Sequence, residues 1–145
     1  GLGAYLISAI QNLRHPSMIT KIYLNEGDRM VRRRTKGVMV ANMGMIQGNI
    51  SIVPEASPDD GWLDIAVLRT ETIGQWIRLI GNAVLRRLQE DPGVEYLTAR
   101  KVRVEFNKEQ LMQYDGESTE KKHRVFEVEV LPAAIEVLVP ADSPN

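Results

Sequence analysis

Apolar side chains recur at every second position through most of this chain, and a single long stretch holds them at helical spacing instead. Val102, Val104 and Phe106 alternate with charged residues, and strands are also read at Val125 to Val130 and Ile135 to Val139. A strand turns successive side chains to opposite faces, so this period of two describes sheets with one buried face. Earlier in the chain, Ile19 to Asn25 and Arg29 to Arg34 flank Glu26-Gly27-Asp28, a turn of the hairpin kind. Gly37 to Met43, Ile50 to Val53 and Trp62 to Thr70 supply further strands.

The long helical stretch runs from about Ile73 to Gln89. There Ile73, Trp76, Ile77, Ile80, Val84 and Leu88 share one face, which Gln75, Arg78, Asn82 and Gln89 avoid. Thr72 with Gln75 three residues on is a capping-box signature, and Asp91-Pro92-Gly93 is a natural stop. A shorter helix is expected over Leu2 to Leu13, ended by Pro16. A parallel sheet needs a crossover after most strands, and one long helix cannot supply them. The expected fold is therefore mainly β: an antiparallel β-sandwich with one long amphipathic helix and a short N-terminal helix.

With 145 residues, 43% of them hydrophobic, the chain can bury one continuous core but not two. A formal net charge of -1 offers no global attraction to nucleic acid. The absence of cysteine removes disulfides, thiolate zinc sites and thiol nucleophiles, which suits a cytoplasmic setting. No apolar run approaches the roughly 20 residues of a membrane span. The start, Gly1-Leu2-Gly3-Ala4-Tyr5, has neither a basic signal-peptide region nor an initiating methionine, and reads as the edge of an excised piece.

Two Asp-Gly corners carry the only acidic clusters with a chemical use. At Asp59-Asp60-Gly61-Trp62-Leu63-Asp64, carboxylates and turn carbonyls could ligate magnesium or calcium, and a solvated β-turn explains the same residues. Counting from Asp59, the twelfth position is Thr70, so this is no EF-hand loop. At Tyr114-Asp115-Gly116-Glu117, two carboxylates flank a glycine; one could accept a proton while the other orients it, and a plain two-residue hairpin fits equally. His15 and His123 have no metal-ligand spacing, and no serine lies in a nucleophile elbow. Gly44 to Gly48 lacks the ending of a phosphate-binding P-loop. Arg32, Arg33, Arg34 and Lys36 could meet anionic head groups or guard an edge strand. Met39, Met43, Met45 and Ile46 could line an apolar cavity or fill a core.

In order and spacing these features resemble the C-terminal domain of the diacylglycerol kinase and sphingosine kinase superfamily, most closely the soluble bacterial lipid kinases. The resemblance is carried by Leu2-Gly3-Ala4-Tyr5, Val40-Ala41-Asn42, Pro54 through Asp64, Asp115-Gly116-Glu117, and Ala134 through Pro140. It implies a β-sandwich half of a two-domain enzyme that moves the γ-phosphoryl group of ATP, with magnesium, onto a lipid hydroxyl; the alternatives are a non-catalytic β-sandwich module that binds lipid or carbohydrate, and a related kinase acting on a soluble hydroxyl. ATP would be bound by an N-terminal nucleotide-binding domain carrying a glycine-rich motif that this chain lacks. Carried over by position, Asp115 is the general base on the acceptor and Glu117 its partner near metal and phosphates. Asn42 and Gly116 face the nucleotide, and a structural magnesium is held by Asp60 with main-chain oxygens of Ser57 and Trp62. The loop Gly44-Met45-Ile46-Gln47-Gly48 is less glycine-rich than the family's, which departs from its nucleotide contact. Partners so implied are the lipid substrate, the nucleotide domain and a peripheral membrane contact, with a homodimer left open because the long helix could cover its own sheet or a neighbour's.

Overall fold

A computed structural model of the chain describes residues 16–42, 45–46, 50–51, 59–85, 87–114, 117–132 and 134, without the side chains of 45, 46, 50, 51 and 84. Strands β1 (Met18–Leu24) and β2 (Arg29–Thr35) form a hairpin, followed by β3 (Gly37–Ala41) and the short pair β4 (Met45–Ile46) and β5 (Ile50–Ser51). Strand β6 (Leu63–Leu68) leads into helix α1 (Ile73–Val84), and β7 (Val94–Ala99) into β8 (Lys101–Gln110). A small hairpin of β9 (Gln113–Tyr114) and β10 (Glu117–Ser118) precedes β11 (His123–Glu129). All pairings are antiparallel, in one sheet ordered β11-β8-β1-β2 and a second ordered β3-β6-β7.

The period of two explains why these sheets face each other. β1 buries Met18, Thr20, Ile22 and Leu24 and exposes Lys21. From the first sheet Ile22, Leu24, Val31, Val102 and Val104, and from the second Leu63, Ile65, Val67, Leu97 and Ala99, form one shared core. Ile22, Ile65, Val67, Val102 and Val104 are completely buried, and each such side chain contributes roughly 1.5–3 kcal/mol. The mainly β antiparallel sandwich expected from the sequence is therefore the fold observed. The short N-terminal helix over Leu2 to Leu13 and the strand at Ile135 to Val139 lie outside the described residues.

Single residues carry the chain between the sheets. Lys36 joins β2 to β3, donating its N–H to the Leu68 carbonyl at 2.8 Å, and Arg100 joins β7 to β8. Arg100 is held by Asn25, whose Oδ1 accepts the Arg100 N–H at 2.9 Å, while its own carbonyl accepts from Val130 N–H. Asn25 and Glu26 have φ of 49° and 61°, a left-handed backbone that asparagine adopts more readily than most residues.

α1 begins as expected: Thr72 Oγ1 accepts the Gln75 N–H at 3.3 Å, and Gln75 Oε1 accepts the Thr72 N–H at 3.0 Å. Trp76 and Leu79 pack it against Leu68 and Val94, register partners on the outer face of the second sheet. The helix ends at Val84, short of the expected Gln89, and Leu88 is buried through a separate 3-10 turn, Leu88–Glu90. Asp91 explains the break. It is 1% exposed and accepts hydrogen bonds from Arg78 Nε and Nη2 (both 3.1 Å), Asn82 Nδ2 (2.7 Å) and Gly93 N–H (2.8 Å). Reaching two side chains of the last helical turns forces the chain to fold back before it can continue the helix. A Cβ on Gly93 would stand 2.6 Å from Thr70 Oγ1 and 2.9 Å from Asp91 Oδ1, so this turn has room only for glycine.

A second ion pair ties the sheets together. Arg33 points inward from β2 and forks onto Glu95 of β7 with contacts of 2.7 and 2.8 Å. The Arg33 hydrogen bonds hold the Glu95 carboxyl below its ordinary pKa against an opposing push from burial, with Arg69 adding to the shift. For Asp91, burial raises the pKa, and the bonds from Arg78, Gly93 and Asn82 more than offset it, leaving the value lowered. A carboxyl depressed in the folded state contributes stability that is complete above its unfolded pKa, about 4, and is lost as pH falls through the folded value. Chemical denaturation should therefore show a stability plateau above about pH 5 and a decline below about pH 4. Arg33→Met with Glu95→Leu should flatten part of that decline, and an unchanged acid limb would refute the assignment.

Candidate functional site

The Asp-Gly-Glu hairpin leaves the sandwich at one end. β8 pairs with β1 from Val102↔Leu24 to Phe106↔Thr20, and then the Asn107 side chain takes over the ladder by accepting the Ile19 N–H at 2.9 Å. Against β11 the register shifts between His123↔Gln110 and Val125↔Glu105. These irregularities release the chain beyond the sheet edge, where β9 and β10 pair as Tyr114↔Glu117 and Gln113↔Ser118. Glu117 is exposed, and Tyr114 is 57% exposed. Asp115 and Gly116 lie outside the described residues, in the two positions between these register partners.

The other corner is built as a tight turn. Asp60 Oδ1 accepts the Trp62 N–H at 2.8 Å, and Gly61 takes φ of 75°. The Arg100 guanidinium carbon sits 5.0 Å from the centroid of the Trp62 ring, close enough for cation-π attraction, and Pro132 covers Gly61. Asn42 follows β3 where Ala41 pairs with Asp64, on this same side. Ser57 lies outside the described residues. No group of three or more Asp, Glu or His side chains among the described residues could hold a metal.

The structure separates the two corners. Arg100 touches Trp62 at the start of β8, whereas Glu117 lies past the end of β8; ten strand residues span roughly 30 Å. Asp60, Trp62 and Asn42 are thus brought to one side, and Glu117 is not brought next to them. A hollow of about 300 Å³ is lined by Tyr23, Glu26, Gly27, Lys101, Arg103 and Glu127 on the outer face of the first sheet. It is a charged depression that Glu117 does not line. Lys101 Nζ there meets Glu127 at 3.1 Å, Glu129 at 3.6 Å and Glu26 at 3.9 Å, and these carboxylates, Glu127 foremost, raise its pKa.

The basic segment is not one patch. Arg33 turns inward to Glu95 and Lys36 serves the strand switch, while Arg34 Nε pairs with Glu71 at 3.0 Å. Arg32 faces out opposite Lys21. His123 is exposed.

Residues 3–139 match the family described as YegS C-terminal NAD kinase beta sandwich-like domain. The chain belongs to this family. Among solved structures it is similar to a diacylglycerol kinase from Bacillus anthracis str. Sterne, at 22% identity and TM-score 0.62, covering 88% of this chain and 43% of that one. A further structure, of a protein provisionally described as a diacylglycerol kinase from the same organism, gives 19% identity and TM-score 0.65, covering 88% of this chain and 41% of the other. At such identities the likeness establishes the shared fold. The chain spans about two fifths of the length of these structures. No curated protein matches it. Among the described residues no helix is long and apolar enough to cross a membrane.

Proposed function

We propose that this chain is the acceptor-side half of a two-domain ATP-dependent lipid kinase. The family match over residues 3–139 supports the reading, because the matched span includes the Asp-Gly-Glu sequence and the family is described as NAD kinase beta sandwich-like. In this reading Asp115 accepts the proton of the acceptor hydroxyl, and Glu117 orients it and neutralises nearby charge. Phosphoryl transfer depends mainly on positioning and electrostatics, so an exposed carboxylate tip needs only to meet ATP held by another domain. Asn42 and Gly116 are the nucleotide-facing positions of the same reading. An apolar acceptor is supported by the exposed Ile73, Ile77 and Leu85 on and just after α1, and the enzyme would work peripherally at a cytoplasmic membrane face.

A second reading is favoured by the family's likeness to NAD kinase: the acceptor is then the hydroxyl of a soluble nucleotide. Supplying the full-length protein with γ-labelled ATP and both a diacylglycerol dispersion and soluble hydroxyl compounds separates the two. Label in the organic phase supports the lipid reading, and label confined to a water-soluble product overturns it.

Magnesium at the Asp60 corner, with main-chain oxygens of Ser57 and Trp62, would brace the turn by neutralising its carboxylates. Millimolar magnesium should raise the melting temperature of the wild-type protein by mass action. Asp60→Ala should abolish that rise; an equal rise in the variant would remove the corner as the site.

A further inference from the structure

Thr119 directly follows β10, and Met112 directly precedes β9. The Thr119 N–H donates to the Met112 carbonyl at 2.8 Å, and the Met112 N–H donates back to Thr119 Oγ1 at 3.2 Å. Thr119 Oγ1 also lies 2.9 Å from the Lys121 carbonyl and 3.2 Å from that of Met112. A hydroxyl has one proton, and the shorter contact takes it. Met112 and Thr119 are the next pair in the register set by Gln113↔Ser118 and Tyr114↔Glu117.

Strands of two residues are marginal in water, and a slip of one residue would turn Glu117 to the opposite face. The side chain of Thr119 supplies what such a short ladder lacks: it binds the main chain on both sides of the hairpin base. We propose that Thr119 is a positioning residue that locks the register of the β9-β10 hairpin and so aims the Glu117 side chain. This inference rests on the kinase reading above.

The test uses the full-length protein with Thr119→Val, which keeps the branched shape but loses the hydroxyl, and Thr119→Ser, which keeps the hydroxyl. Misplacement of catalytic groups by a fraction of an ångström should lower kcat of the valine variant about tenfold. The lipid KM and melting temperature should stay close to wild type, and serine should restore kcat. Amide hydrogen exchange across residues 113–118 should quicken in the valine variant alone. Wild-type kcat or wild-type exchange in that variant overturns the proposal, as does a loss that follows the melting temperature and is not rescued by serine. Asp115→Asn serves as the control: activity surviving there sinks the kinase reading, while the exchange data still report on the clamp.

Discussion

Asp115→Asn in the full-length protein is expected to lower the rate of phosphoryl transfer by about 10²–10⁴, the usual contribution of a positioned general base. Asparagine preserves size and hydrogen-bonding shape but cannot take the proton that the acceptor hydroxyl must lose. Binding of ATP and of the acceptor should change little, because neither depends on that proton. The loss should therefore lie in kcat, with KM for both substrates within a few-fold of wild type. Glu117→Gln should lose less, since Glu117 is proposed to orient and neutralise without itself taking the proton. Steady-state kinetics with each substrate varied in turn check this. A variant at Asp115 that keeps most of its kcat would remove the base role.

Asp91→Ala is expected to be the most destabilising single change in the sandwich itself. It removes the acceptor of bonds from Arg78, Asn82 and Gly93 at a position that is 1% exposed. Breaking a buried hydrogen-bonded ion pair costs about 3–5 kcal/mol. The exposed part of Arg78 can rehydrate, so the lower half of that range is expected here. Asp91→Asn should cost less, because it can still accept the Gly93 N–H, although it loses the charge that attracts Arg78. Urea unfolding followed by tryptophan fluorescence suits the measurement, since Trp76 packs in the cluster that Asp91 anchors. A midpoint for Asp91→Ala equal to wild type would show that the turn is held by packing alone.

The sequence made legible what is encoded locally. The alternation of Val102, Val104 and Phe106, the turn at Glu26-Gly27-Asp28 and the Thr72–Gln75 cap all act within a few residues, and each appears in the structure. The end of α1 was not legible, because Leu88 continues the helical period while the constraint that ends the helix is tertiary: Asp91 reaching Arg78 and Asn82. Nor was the inward turn of Arg33 legible, since in a run of arginines no apolar neighbour marks the buried face and its partner Glu95 is 62 residues away. At the candidate site, Asp-Gly signalled the hairpin, and the Tyr114↔Glu117 pairing agrees. That the Asp60 corner lies beside Arg100 instead of beside this hairpin depends on strand order, which no local pattern records. The Thr119 clamp was hidden for the same reason: a threonine in a polar stretch acquires its meaning only once Met112 is known to stand opposite.

The most direct test of the whole account is transfer of γ-phosphate from ATP to diacylglycerol by the full-length protein, read as label entering the organic phase in the presence of magnesium. Labelled phospholipid that accumulates with time and depends on Asp115 is the expected result. ATP turnover that yields only free phosphate, or no turnover with any hydroxyl acceptor offered, would contradict it.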